Sequence, residues 1–123
     1  MILRKIKFYF LIILSMTIAS FQISHPRRLL LFGKDWTSYK SQLQLLAKDS
    51  LGLSERDVRI EMFNFESELA RKYNVNPAEL TVILIGRDGG EKYRTYTPLS
   101  AQTLFEIIDS MPMRQSEIRK KSN

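Results

Sequence analysis

Apolar and polar positions follow two different periods along residues 26–111, and their alternation predicts the secondary structure. The segments RRLLLF (27–32) and TVILIG (81–86) each contain an unbroken apolar run, which is typical of strands covered on both faces. DVRIEM (57–62) alternates between charged and apolar residues, which predicts a strand with one polar face. EKYRTY (91–96) follows the turn-forming residues RDGG and completes a hairpin. The pattern therefore predicts four strands.

Three other segments, 38–52, 64–74 and 100–111, carry apolar residues at the spacing of an α-helix. Ser and Asn cap helices, Gly often ends them and Pro interrupts them, so the ends can be read as well. The expected signals are Gly52 at the end of the first helix, Asn64 and Ser100 at the starts of the second and third, and Pro112 after the third. NPAE (76–79) predicts one further helical turn.

The resulting element order is strand, helix, strand, helix, strand, strand, helix. A right-handed crossover makes the first two strands parallel, and the hairpin adds antiparallel strands. The compact solution is an α/β three-layer sandwich, in which a mixed four-stranded sheet has helices on both faces. This order is that of thioredoxin-like proteins.

The first 25 residues differ in kind from the rest and predict a secretory signal peptide over residues 1–25. A basic start at residues 4–7 precedes the apolar run FYFLIILSMTIA (8–19), in which Thr17 and Ala19 lie near the positions that signal peptidase prefers. The run is shorter than the ~20 apolar residues of a membrane-spanning helix. We therefore expect a periplasmic or secreted protein, which would contact the membrane only if this segment stayed uncleaved.

Removal of that segment lowers the net charge, which is +6 for the 123 residues. Three of the 19 Lys and Arg lie in the segment and all 13 Asp and Glu lie beyond it, which leaves 16 cations against 13 anions, or +3. This modest charge does not support a nucleic-acid partner. The remaining residues suffice for one domain, 26–114, followed by a charged tail, 115–123, that we expect to fray.

The chain has no cysteine and one histidine, His25, at the signal boundary. Without a thiol the chain has no disulfide and no thiolate nucleophile, which excludes thiol–disulfide exchange and thiol peroxidase chemistry. Histidine-based acid–base catalysis and histidine metal sites have no support either. We therefore predict no metal and no cofactor, and we assign no catalytic residue. Asp35, Asp88 and Asp109 leave carboxylate chemistry open, although a lone acid beside a turn or a helix is usually a cap or a solvated group.

The loop GKDWTS (33–38) joins the first strand to the first helix and offers a candidate binding site. Lys34, Asp35 and Trp36 lie beside the helix start, where the helix amides and the lysine would favour an anion and the indole would supply a stacking contact. A simpler interpretation, which we favour, is that Asp35 or Thr37 caps the helix and Trp36 covers the end of the sheet.

The turn RDGG (87–90) leads from one strand into another, so it is a hairpin turn and not a nucleotide-binding loop, which would lead into a helix. In this topology the turn lies at the pole opposite GKDWTS, and the last helix runs toward it. We predict that Arg114 approaches Asp88 or the turn carbonyls around Gly89 and Gly90, with Glu117 as an alternative partner. We interpret these residues as a structural clasp between the last helix and the hairpin.

Two functional alternatives concern the same pole. Arg87, Lys92 and Arg114 would form a basic patch for an anionic partner, although we favour the clasp. Met111 and Met113 would form an apolar docking patch. Two thioethers without a nearby histidine or cysteine are only a weak copper(I) signal.

Three segments, RRLLLF (27–32), VILIGRDGGEKYR (82–94) and FEIIDSMPMRQSEI (105–118), resemble the domain of unknown function 4174, also called the P-DUDES domain. This domain occurs alone in bacterial envelope proteins and within animal extracellular proteins of the sushi-repeat-containing and coiled-coil-domain-containing-80 group. The resemblance covers the chain after the signal segment, and it implies a thioredoxin-like, peroxiredoxin-related fold with no established activity. The chain departs from redox thioredoxins because it lacks cysteines after the first strand and the usual Thr-Pro before the third.

Together these observations predict an exported, non-enzymatic, thioredoxin-like binding module of the cell envelope, with an envelope or extracellular protein as partner. The alternative is a cysteine-independent enzyme that acts on a small substrate near the Gly33–Ser38 loop. A deep pocket at that loop would favour the enzyme, whereas an exposed apolar patch would favour the module.

Overall fold

A computed structural model describes residues 25–77 and 80–122. Apart from its last residue, the predicted signal peptide lies outside these ranges, as does the second half of the predicted NPAE turn. Within them the elements are β1 (Arg27–Phe32), α1 (Trp36–Ala47), α2 (Ser50–Glu55), β2 (Val58–Phe63), α3 (Glu68–Lys72), β3 (Thr81–Ile85), β4 (Glu91–Thr95), α4 (Ala101–Asp109) and α5 (Pro112–Ser122).

The four strands form one mixed sheet in the order β2-β1-β3-β4. β1 pairs in parallel with β2, with Arg27 opposite Val58, and antiparallel with β3, with Arg28 opposite Ile85. β4 pairs antiparallel with β3 through the hairpin. The predicted sheet is therefore confirmed, and β1 and β3, the two strands with apolar runs, are the central ones.

Helices cover both faces of this sheet, as predicted. Leu29 and Leu31 point to one face, where α1, α2 and α4 supply the core residues Leu46, Leu53 and Leu104. The alternate residues of β1 point to the other face, which α3 and its flanking loops cover. Because both faces of β1 are buried, its apolar run does not alternate with polar residues.

The first helical segment divides into two helices, and Gly52 lies inside the second instead of ending the first. A side chain at this position would come within 2.6 Å of the Phe105 ring. The glycine therefore allows α2 to approach α4 closely, and the prediction that it stops the helix is wrong.

The second helix begins later than predicted. Its N-cap is Ser67, whose hydroxyl accepts a hydrogen bond from the amide of Ala70 at 3.2 Å. Asn64 instead accepts a hydrogen bond from the amide of Glu66 in the turn before the helix. Both side chains suit a cap, and the turn places the serine at the helix start.

The predicted cap of the last apolar helix is confirmed, because Ser100 accepts from the amide of Thr103. The prediction that the tail frays is not confirmed, because Pro112 begins α5, which continues to Ser122. Proline suits a first helical position because its missing N–H would have no helical partner there. Arg114 and Glu117 of this helix are held by the ionic contacts described below.

No helix in the described part of the chain is long and apolar enough to span a bilayer.

Candidate functional site

The Gly33–Ser38 loop is fixed by its own polar groups. Asp35 is the N-cap of α1, and its Oδ1 accepts hydrogen bonds from the amide and the hydroxyl of Ser38 at 3.1 and 3.2 Å. The Tyr39 hydroxyl lies 2.9 Å from the Gly33 carbonyl and 2.6 Å from the Phe63 carbonyl, which ties the loop to β2. Burial raises the pKa of Tyr39, so this phenol stays protonated as a donor.

Trp36 begins α1 and is 62% exposed. Asp35 thus caps the helix as we favoured, but Trp36 does not cover the end of the sheet. Lys34 is also exposed. Because the Asp35 carboxylate takes the Ser38 amide, it competes with an external anion for this helix start. The loop therefore presents an exposed indole on a hydrogen-bonded frame.

The opposite pole holds a cluster of arginines and carboxylates, which we call the arginine cluster: Arg27, Arg56, Arg87 and Arg114 with Asp57, Asp109 and Glu117. The cluster joins five parts of the chain: the start of β1, the residues just before β2, Arg87 just after β3, the end of α4 and the first turns of α5. Residues up to 90 positions apart in the chain meet here.

Glu117 is shared by three guanidinium groups of the arginine cluster. Its carboxylate lies 3.2 Å from Nη2 of Arg27, 2.8 Å from Nε of Arg87 and 3.3 Å from Nη1 of Arg114. Burial opposes ionisation of Glu117, but these arginines outweigh it and hold its pKa below the usual range. The side chains of Arg27 and Arg114 are only 1% and 7% exposed, so both charges need carboxylate partners; Glu117 serves both, and Arg114 also pairs with Asp109.

Asp109 is the second shared carboxylate. Arg56 donates to both of its oxygens, at 3.0 and 2.8 Å, and Arg114 donates to Oδ1 at 3.1 Å. Mainly because of the Arg56 pair, the pKa of Asp109 is lowered. The Arg56 guanidinium also stacks on Phe105, 4.0 Å from the ring centroid.

The third carboxylate, Asp57, accepts from Arg87 at 3.0 Å, and the same guanidinium donates to the carbonyl of His25. Arg87 thereby links the residue before β2 and the residues before β1 to the end of β3. The cluster joins all these chain segments at one pole.

The predicted clasp is only partly present. Arg114 does pair with Glu117, but the predicted approach to Asp88 is wrong, because Asp88 pairs with Lys92 at 2.7 Å and accepts from the Gly90 amide. Within the turn, Gly89 has a φ of +83°, a conformation that glycine adopts without strain. These contacts stay inside the hairpin, so Asp88 and the two glycines shape the turn and do not hold the last helix.

The sequence interpretation also missed the roles of Arg27, Arg56 and Asp109. One signal in the sequence was available for Arg27. Alternate residues of a strand lie on the same face, so the side chain of Arg27 lies on the covered face with those of Leu29 and Leu31. An arginine at a buried parity position requires carboxylate partners. The partners themselves come from distant segments and left no local pattern.

A cavity of about 280 Å³ adjoins the arginine cluster, between the β3–β4 hairpin and the turn from α4 to α5. Its cationic and apolar walls include Arg27, Lys92, Met111, Pro112 and Met113. Within the described ranges, no group of three or more His, Cys, Asp or Glu side chains is placed to hold a metal ion.

Comparisons with solved structures show the fold. One, described as the structure of a malarial protein, is 20% identical, with a TM-score of 0.55 over 69% of this chain and 96% of that one. Another, thioredoxin-2, described as a component of the malaria parasite protein secretion machinery, is 18% identical, with a TM-score of 0.57 over 73% of this chain and 87% of that one. These likenesses establish a thioredoxin-like fold for a chain that has no cysteine. No curated protein matches the chain.

A family model agrees with the resemblance seen in the sequence. The model for the domain of unknown function DUF4174 matches residues 19–117, which is most of the chain. The match includes the strands of the sheet and the first turns of α5, with Arg114 and Glu117. The protein therefore belongs to the DUF4174 family, whose domain here has a thioredoxin-like fold.

Proposed function

We propose that this domain is an exported, non-enzymatic binding module of the cell envelope, and that the Gly33–Ser38 loop contacts an envelope or extracellular protein. The observation that carries the proposal is the exposure of Trp36 on a loop whose polar groups hold the loop itself. A large aromatic side chain on a rigid frame loses little conformational entropy on binding and buries a large area.

The same contacts argue against catalysis at this loop. Asp35 is the carboxylate of the loop, and it is engaged as the cap of α1. Tyr39 is engaged with two carbonyl groups and, with its raised pKa, is a poor base. An enzyme acting here would have to release one of these groups from the frame that fixes the loop.

Export is supported by the composition of residues 1–25, with a basic start and an apolar run. The test is N-terminal sequencing of the protein recovered from the envelope and the medium of the source cell. A mature terminus between residues 18 and 26 supports export. An intact Met1 on cytoplasmic protein would contradict it.

Photocrosslinking from the loop tests the binding role. We would replace Trp36 by p-benzoylphenylalanine in the native host, with Leu51 as the control site because it is 73% exposed and lies beyond the far end of α1. We expect a discrete protein adduct from position 36 that excess unlabelled protein suppresses and excess Trp36→Ala protein does not. Equal adducts from both sites, or suppression by both competitors, would refute a specific contact at Trp36.

A further inference from the structure

Strand β2 forms an open edge of the sheet, apart from the proposed binding loop. The sheet ends at β2, and no strand in the described part of the chain pairs with its outer side. The carbonyls of Asp57 and Phe63 accept hydrogen bonds from the β1 side. Because main-chain groups alternate between the two sides of a strand, those of Val58, Ile60 and Met62 point to the open edge.

The two edges of the sheet differ in how they resist pairing with another chain. Folded proteins protect open edges with short or irregular strands and with charges that repel a partner. β4 has a register shift, and two copies of it centred on Tyr93 would place Lys92 opposite Arg94. β2 is regular, since all six of its residues align with β1 without a shift. The β2 edge therefore lacks the irregularity that protects β4.

The polar face of β2 carries a cation without a counter-charge. Arg59 is exposed and, within the described ranges, forms no ion pair. Its neighbour across the strand pair is Arg28, so two like charges lie side by side. Glu61 accepts from Arg28 through Oε2, and its Oε1 has no hydrogen bond among the described residues. A carboxylate from a second chain would therefore be stabilised beside Arg59.

The other face of β2 leaves an apolar side chain uncovered. Val58 and Ile60 pack against the core that α1, α2 and α4 cover. Met62 lies on the same face, because alternate residues of a strand share a face, but it is 47% exposed. An apolar residue placed beside Met62 at the open edge would reduce that exposure.

From these features we propose that two copies of this chain pair through β2, antiparallel and centred on Ile60, to form one eight-stranded sheet. Arg59 of each copy then lies opposite Glu61 of the other, and Met62 lies opposite Val58. The Arg59 and Glu61 positions form the non-hydrogen-bonded kind of pair, in which facing side chains are closest. Charge selects this register, because a pair centred on Arg59 or on Glu61 would place that residue opposite its own copy.

The dimer should be weak, because the contact is small. The facing residues exchange about six main-chain hydrogen bonds, against about ten direct hydrogen bonds in a typical protein interface. We expect the chain to be mostly monomeric at about 5 µM and mostly dimeric at about 500 µM. Unfolding experiments at about 5 µM therefore observe the monomer.

Sedimentation velocity on the protein from its native host measures the association. Arg59→Glu places a carboxylate opposite Glu61 of the other copy, so it should weaken the dimer about tenfold or more. The fold should not change, because Arg59 is exposed and lies outside the ion pairs described. Lys120→Glu makes the same change of net charge in the last turn of α5 and should leave the dimer unchanged. A monomeric wild type at about 500 µM, or equal association of Arg59→Glu and wild type, would overturn the proposal.

A single introduced cysteine tests the register, because the chain has none of its own. In Ile60→Cys the two Cα atoms should lie about 5.5 Å apart, within the range of a disulfide. Met62→Cys is the control, because this residue is more exposed but its two copies should lie about 14 Å apart along the strands. We expect a disulfide-linked dimer from Ile60→Cys alone. If Met62→Cys cross-linked as readily, or if folded Ile60→Cys did not, the proposal would be wrong.

Other occupants of this edge would give different results in the same experiments. A strand of another protein would leave the wild type monomeric and Ile60→Cys without a linked dimer. Pairing of β2 with β4 of a second copy would give particles larger than a dimer, because each chain would then offer both edges. Either result would refute the pairing of β2 with its own copy.

Discussion

Replacing Glu117 by glutamine should destabilise the fold strongly, although it changes only a few atoms. The side chain keeps its shape, but three guanidinium groups lose their shared negative charge. Arg27 and Arg114 would remain nearly buried, with Arg27 no longer paired to any carboxylate among the contacts described. A buried charge that loses its partner costs several kcal/mol, because the desolvation of the charge is no longer offset.

The magnitude follows from the exposure of the pair. Removing one partner of a fully buried ion pair costs about 3–5 kcal/mol, and the 27% exposure of Glu117 reduces this, so we expect a loss of about 2–3 kcal/mol. In a domain of this size that loss lowers the melting temperature by about 10–20 °C. Urea denaturation followed by far-ultraviolet circular dichroism measures the free energy of unfolding directly.

Glu61→Gln is the matched control. It is the same substitution in a half-exposed pair with Arg28 on the sheet, and it should cost no more than about 1 kcal/mol. If Glu117→Gln cost no more than Glu61→Gln, the arginine cluster would not hold α5 to the sheet and our reasoning would be wrong.

The remaining predictions concern pH, a helix cap and a helix contact. Burial raises the pKa of Glu117, but the arginines lower it by more. The stability that ionised Glu117 gives the fold is therefore complete above about pH 4.5 and is lost as the pH falls through the lowered pKa. The difference in unfolding free energy between wild type and Glu117→Gln should therefore shrink from pH 7 to about pH 3; a constant difference would contradict this. Asp35→Ala removes the cap of α1 and should lower the free energy of unfolding by about 1 kcal/mol in urea denaturation. An unchanged free energy of unfolding would show that the Asp35–Ser38 hydrogen bond does not stabilise the helix. Gly52→Ala places a methyl group against Phe105 and should cost about 1–3 kcal/mol, which Phe105→Leu should partly restore; an additive double mutant would show that the two sites do not touch.

The sheet could be predicted from the sequence because its signals are local. The apolar runs of β1 and β3 identify strands buried on both faces, and the RDGG turn identifies the hairpin. Element order and handedness then leave few arrangements.

The last helix could not be predicted in the same way. Residues 112–122 have no apolar stripe, so their pattern is typical of a solvated tail. Arg114 and Glu117 hold them through contacts with Arg27 and with the Glu55 carbonyl, which lie 90 and 59 residues away. Sequence spacing carries no information about such pairs. In the Gly33–Ser38 loop, the sequence was sufficient to predict that Asp35 caps α1. The exposure of Trp36 could not be predicted in this way, because it depends on the direction in which α1 leaves the sheet.

The position of Glu117 has a consequence for the order of folding. Arg27 begins a central strand, yet its carboxylate partner lies 90 residues later in the chain. Until α5 has formed, the strand would carry a cation into the core without its counter-charge, so we expect the sheet to stay open during synthesis. Stable folding would therefore follow the synthesis of α5, when the first strand and the last helix of the domain can pair.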